Sequence, residues 1–173
     1  MSARVVVCMG VSATGKSSVA VQLADRLGWA FEEGDDHHPQ ASIDLMEAGT
    51  PLTDEDRWPW PHELAAVSAA YVDRDHSVVL TCSALKRAYR DVLRSRVPDG
   101  TMFFVHLHGD PTLLRQRMSA RTKHFMPTSL LDSQLQTLEP LQDDELGAVV
   151  DVEPPIEEVA DAAVAALGVQ GVG

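Results

Sequence analysis

A chain of 173 residues with 45% apolar content can build one α/β domain with a sizeable core and is too short for two comfortable ones. Its formal charge of −12, from 26 acidic against 14 basic side chains, argues against a nucleic-acid partner, because that binding rests on clustered Lys and Arg. No apolar run approaches a membrane span, the short run behind Arg4 is a poor secretory signal, and a cytoplasmic protein is expected. Cys8 and Cys82 lie in strand-like runs and read as reduced core thiols, with a disulfide as the alternative.

Arg4 to Met9 reads as the first strand, and a helix follows from about Gly15 to Leu27, with Val19, Val21, Leu23 and Leu27 as its apolar positions and Gly28 as its stop. Between them, Gly10, Gly15, Lys16 and Ser17 fill G-x-x-x-x-G-K-[ST], the phosphate-binding P-loop. A loop that wraps a polyphosphate must aim consecutive backbone N–H groups inward, which glycine permits, and the helix dipole adds positive potential at the same point. The expected nucleotide site is Gly10, Val11, Ser12, Ala13, Thr14, Gly15, Lys16, Ser17 and Ser18, with ATP as ligand. Lys16 reaches the outer phosphates, and the Ser17 hydroxyl suits Mg²⁺.

A short strand, Trp29 to Glu32, delivers Glu33, Gly34 and Asp35 to its carboxyl end, where open α/β sheets bind ligands. Ala41 to Ala48 reads as helical, and TPLTDEDRWPWP after it has the Pro, Trp and charge density of a functional loop. Further elements are expected as a helix at Pro61 to Asp73, a strand at Ser77 to Thr81, a helix at Leu85 to Arg96 and a strand at Thr101 to Leu107. Asp110 and Pro111 open the next helix, which runs into RTKHFMP; Thr128 to Thr137 is another helix, Leu146 to Val150 the fifth strand, and Pro155 to Leu167 the last helix. The alternation predicts an α/β, three-layer P-loop fold, a five-stranded parallel sheet with helices on both faces, in a single domain over 1–173 with a helical lid at about 117–137.

The third strand, SVVLTCSA, lacks the terminal Asp that a GTPase or motor ATPase would carry. The acids follow strand two instead, as in small-molecule kinases, where a carboxylate faces an acceptor hydroxyl. Together EEGDDHHP, GTPLTDEDRWPW, CSALKRAYRDVLR, HLHGD and RTKHFMPTSLLDSQLQTLE resemble the gluconokinase family, in order and spacing, from Gly10 to about Glu139. The resemblance implies Mg²⁺- and ATP-dependent phosphorylation of D-gluconate at its C6 hydroxyl, and a homodimer. It implies Asp35 as catalytic base or orienter, beside Lys16 and Arg121 in the catalytic set, and Glu33 as a Mg²⁺ ligand with Ser17, through water; the family commonly has Asp at that position. Substrate contacts are expected from Asp35, His38, Arg57, Ser83, Lys86, Arg90 and His124, and Arg117 and Arg121 resemble lid arginines that meet phosphate or adenine.

Each assignment has a plainer rival. The plainer reading of Glu33 and Asp35 is loop solvation, which their place at a strand's carboxyl end disfavours, while His37 and His38 make a poor zinc pair because adjacent residues point apart in extended chain. His106 and His108 read as structural, Trp58 and Trp60 as packing beneath the DEDR loop, and Arg87, Arg94 and Arg96 as an exposed or salt-bridged helix face. For the whole chain, the rivals are a same-fold kinase for another sugar acid or polyol, and a nucleotide-binding regulatory module without catalysis.

Overall fold

A computed structural model describes residues 3–34, 44, 47–50, 59–120 and 128–168. Its elements are β1 (Val5–Met9), α1 (Lys16–Leu27), β2 (Ala30–Glu32), α2 (Pro59–Asp73), β3 (Val78–Thr81), α3 (Arg87–Arg94), β4 (Met102–His108), α4 (Pro111–Ser119), α5 (Thr128–Thr137), β5 (Gly147–Asp151) and α6 (Ile156–Leu167). The strands pair in parallel in the order β2-β3-β1-β4-β5, with Val5 beside both Val78 and Met102. Each crossover therefore carries helix, and the carboxyl ends of β1, β2 and β3 open on one edge of the sheet.

The alternation of side chains along β1 divides the core in two. Val6 and Cys8 enter the layer under α1, α4 and α6, with Leu23, Leu114 and Val159; Val5, Val7 and Met9 face α2 and α3, with Leu64, Leu93 and Phe104. Burial on both faces explains why β1 is wholly apolar rather than alternating. Cys8 and Cys82 are both buried and free, and burial pushes the Cys8 thiol up to about 12, with Lys16 acting the other way, so it stays a protonated core residue. Among the described residues no helix is long and apolar enough to cross a membrane.

The elements match the expected ones within a few residues, and the differences have local causes. The helix expected from Leu85 begins instead at Arg87, because Ala84 adopts a left-handed φ of 47° and Lys86 is extended at φ −109°. Of the four apolar positions of α1, Val19, Leu23 and Leu27 are buried and Val21 is 45% exposed, and Ala20 and Ala24 complete the packed face. The expected helix at 41–48 falls largely outside the described residues.

Arg90 departs most from its expected role. Rather than facing a substrate, it is completely buried, with Nε and Nη2 donating to the two carboxylate oxygens of Glu145 at 2.8 and 3.0 Å. Its remaining donors reach the carbonyls of Ala84 at 2.8 Å and Pro140 at 3.2 Å. Glu145 also accepts from the Gln142 amide and pairs with Arg94 at 3.0 Å. Burial raises the Glu145 pKa, yet the bonds from Arg90, Gln142 and Arg94 outweigh it and hold the carboxyl below its ordinary value. Its stabilising contribution is therefore present above the usual carboxylate range and is lost as pH falls through the lowered value. The pair fastens α3 to the segment before β5, which is a structural task.

Arg90→Met leaves the Glu145 charge buried without its fork, and urea unfolding should show a loss of about 3–5 kcal/mol. A loss under about 1 kcal/mol would mean that the pair is not the fastening it looks like. On β4, burial first, then the charges of His108 and Arg90, lower the His106 pKa to about 4, and Nδ1 has no hydrogen-bond partner among the described residues. Because the unfolded chain takes up this proton near pH 6.5 and the folded chain only near 4, stability should fall as pH drops through that window. The difference in unfolding free energy between the wild type and His106→Asn should accordingly shrink from pH 7 to pH 4.

Candidate active site

The turn after β1 is built for close backbone approach. Gly10 has a φ of 146°, and a Cβ there would stand 2.6 Å from the Leu107 carbonyl oxygen; Gly15, at φ 81°, caps α1. Ala13 holds a left-handed φ of 69° without glycine's freedom, a strained position of the kind that collects at functional loops. The Thr14 hydroxyl donates to the Val11 carbonyl at 2.8 Å and closes the turn from within, while Gly10 N donates to the Ser83 carbonyl at 3.2 Å. Lys16 folds over the loop, its Nζ donating to the carbonyls of Gly10 at 3.1 Å and Val11 at 3.0 Å. The lysine thus lies over the face that a polyphosphate would cover, as the motif requires.

Beside this loop stands Glu33. Its carboxylate accepts from the Ser17 hydroxyl and from the Thr81 hydroxyl, each at 2.5 Å, and so joins the head of α1 to the carboxyl ends of β2 and β3. Thr81 Oγ1 accepts in turn from Gly34 N at 2.8 Å, and the Gly34 carbonyl accepts from the Trp60 indole at 2.8 Å. Gly34 admits no side chain, since a Cβ would fall 1.8 Å from the Thr81 carbonyl oxygen. Two hard oxygen donors, the Ser17 hydroxyl and the Glu33 carboxylate, therefore meet at the helix N-terminus, a donor set that suits Mg²⁺ bound mainly through water and phosphate.

Of the other residues singled out in the sequence, Ser83 contributes its carbonyl to the loop, and half-buried Lys86 leads into α3 with its ammonium 5.9 Å from the Tyr89 ring. Arg117 closes α4 and donates to the Val152 carbonyl at 2.8 Å, which brings it beside the segment after β5. Asp35, His38, Arg57, Arg121 and His124 lie outside the described residues. Thr81 and Gln134 escaped the sequence reading, and Trp60, read as packing, also donates to the Gly34 carbonyl. Thr81 had a visible signal, a hydroxyl ending a buried apolar strand, whereas the contacts of Trp60 and Gln134 depend on chain segments far away in sequence.

A family model described as an AAA domain matches residues 5–141. A gluconokinase of Gluconobacter oxydans is 51% identical over 142 residues, covering 82% of this chain and 79% of that protein. The chain belongs to the gluconokinase family. The thermoresistant gluconokinase of Escherichia coli is 42% identical, with 88% of this chain and 87% of that protein aligned. Among solved structures, a gluconokinase from Sinorhizobium meliloti superposes with a TM-score of 0.84 at 47% identity, covering 95% and 91% of the two chains. A sugar kinase from Janibacter superposes with a TM-score of 0.91 at 48% identity, covering 96% and 95%. A shikimate kinase from Aquifex aeolicus, at 16% identity and a TM-score of 0.62, covering 95% and 96% of the two chains, shares the fold alone.

Thr81→Val keeps the shape of the side chain but removes one donor to Glu33 and the acceptor of Gly34 N. Thermal and urea unfolding should register a loss of about 1–3 kcal/mol, with a fall in kcat that exceeds any rise in the KM for ATP. An unchanged kcat would show that the Glu33 link is structural only.

Proposed function

We propose that this chain transfers the γ-phosphoryl group of ATP to the C6 hydroxyl of D-gluconate, giving 6-phospho-D-gluconate and ADP. The observation that carries the reading is the P-loop set directly against the Ser17, Glu33 and Thr81 unit, in a chain half identical to a gluconokinase over most of its length. Backbone N–H groups of the P-loop and Lys16 bind and orient the triphosphate. Ser17, and Glu33 through water, would hold Mg²⁺, and the bound ion would offset the charge of the phosphates. Asp35 follows Glu33 by two residues, and Gly34 between them is fastened at both its N–H and its carbonyl.

In this mechanism the C6 oxygen forms its bond to the γ-phosphorus in line with the bond to the leaving ADP oxygen. That bond breaks, and the hydroxyl proton passes to the Asp35 carboxylate. Arg121 offsets charge on the transferring group, and Arg117, beside the 152–155 segment, serves adenine. His38, Arg57, Ser83, Lys86 and His124 form the acceptor site, with Arg57 suited to the gluconate carboxylate because its planar fork can bind bidentately. Arg90 has no part in it. The segment at about 117–137 forms the lid of a single domain, with α5 as its fixed base, since Leu130 and Leu131 are buried, and the part before α5 excludes water that would otherwise accept the phosphoryl group. We also propose a cytoplasmic homodimer, a reading supported by the reduced thiols and by the exposed Leu146 and Val149 along the edge strand β5.

Coupled ADP release with Mg²⁺ and ATP should be strongly stimulated by D-gluconate and not by shikimate or glucose. Asp35→Asn should then lower kcat by about 10²-fold or more while ADP affinity stays within a few-fold. Stimulation by a different sugar acid would keep the kinase chemistry and overturn the substrate. No stimulation by any acceptor would favour a nucleotide-binding module, and near-normal turnover of Asp35→Asn would remove Asp35 from its role.

A further inference from the structure

We propose that Gln134, on α5 and outside the P-loop motif, is a positioning residue that sets the affinity for nucleotide. Its Oε1 accepts from the Ser12 amide at 2.7 Å and from the Ser12 hydroxyl at 2.9 Å. The Ser12 amide can only donate, which identifies the side-chain atom as the carbonyl oxygen rather than the amide nitrogen. The contact spans 122 residues of sequence.

Ser12 stands at the apex of the turn between Gly10 and Gly15. The base of that turn is held by the Gly10 to Ser83 bond, and its interior by the bond from Thr14 to Val11. Gln134 supplies a tie from outside, and it does so from a firm support. Leu130 and Leu131 of α5 are buried, Leu131 and Leu135 pack into the core beside α1, and Glu139 N donates to the Leu85 carbonyl just beyond the helix. A loop whose N–H groups must point together at a polyphosphate loses backbone freedom when it binds, and holding its apex beforehand reduces that loss. The loop embraces the phosphates both before and during transfer, so a fixed apex improves ground-state and transition-state binding alike. Such uniform binding appears in KM and Kd for the nucleotide rather than in kcat.

The test is Gln134→Met in the full chain, a residue of similar length with no acceptor oxygen. Titration calorimetry with ADP should give a Kd raised about 5- to 20-fold, the size of one or two net hydrogen bonds, with the KM for ATP raised in step. The kcat, the KM for gluconate and the melting temperature should stay near wild type. Ser12→Ala should weaken ADP binding on its own and add little once Gln134 is replaced, because the two groups form one contact. Gln134→Asn, too short to reach Ser12, should behave like Gln134→Met and provides the measurement if the methionine variant does not fold. An ADP Kd within twofold of wild type in a folded variant would overturn the proposal. So would fully additive losses from Ser12 and Gln134, or a fall in kcat that merely follows a lowered melting temperature. ADP binding is read without any acceptor, so the outcome does not depend on which sugar acid the enzyme uses.

Discussion

Glu33 directly follows the short edge strand β2, and the two hydroxyls it accepts from belong to different neighbours, Ser17 at the head of α1 and Thr81 at the end of β3. The strand order places β3 between β2 and β1, so the P-loop and the acidic segment are never adjacent in the sheet. This one carboxylate ties them together across the end of β3. A carboxylate carries about four acceptor sites, and using two of them on fixed hydroxyls gives it a single orientation while leaving capacity for a cation. The backbone immediately after it is held just as firmly, with Gly34 pinned by Thr81 and Trp60 and too crowded for any side chain.

The charge distribution follows a related economy. An acidic chain that handles polyphosphate must keep some cations near the nucleotide while satisfying others within the fold. On α3, Arg87 pairs with Asp144 and Asp91, Arg94 with Asp91 and Glu145, and Arg90 with Glu145, so that one face of one helix is neutralised by acids nearby. Of these, only the Arg90 to Glu145 pair is fully withdrawn from water, and its worth lies in the cost of breaking it rather than in net attraction. The exposed pairs contribute little each. Lys16 and Arg117 are placed differently, over the loop after β1 and beside the segment after β5.

Much of this was legible in the chain. The apolar runs marked the strands because a parallel sheet covered on both faces has no polar side to display. The P-loop was legible because its chemistry depends on local backbone geometry, with Gly10, Gly15, Lys16 and Ser17 inside one turn. Asp110 and Pro111 announced α4 for the same reason, and the Asp110 side chain does accept from Thr112 N at 2.8 Å. Arg90 was misread because a guanidinium in a functional stretch looks the same whether it faces a ligand or an internal carboxylate. Its partner lies 55 residues away, beyond any local pattern.

Sequence alone therefore determined the elements, their parallel arrangement, the nucleotide loop and the family, since these rest on short-range periodicity, backbone freedom at glycine, and residue types at set spacings. Only the tertiary structure decided which polar side chains serve the site and which serve the fold. It withdrew Arg90 into the core, recruited Thr81 and Trp60 to hold the acidic turn, and brought Gln134 against Ser12. Those outcomes depend on distances between segments that meet only after the sheet has formed. Hydrogen bonds and ion pairs act over a few ångströms, and no spacing along the chain encodes which distant partner will stand within that reach.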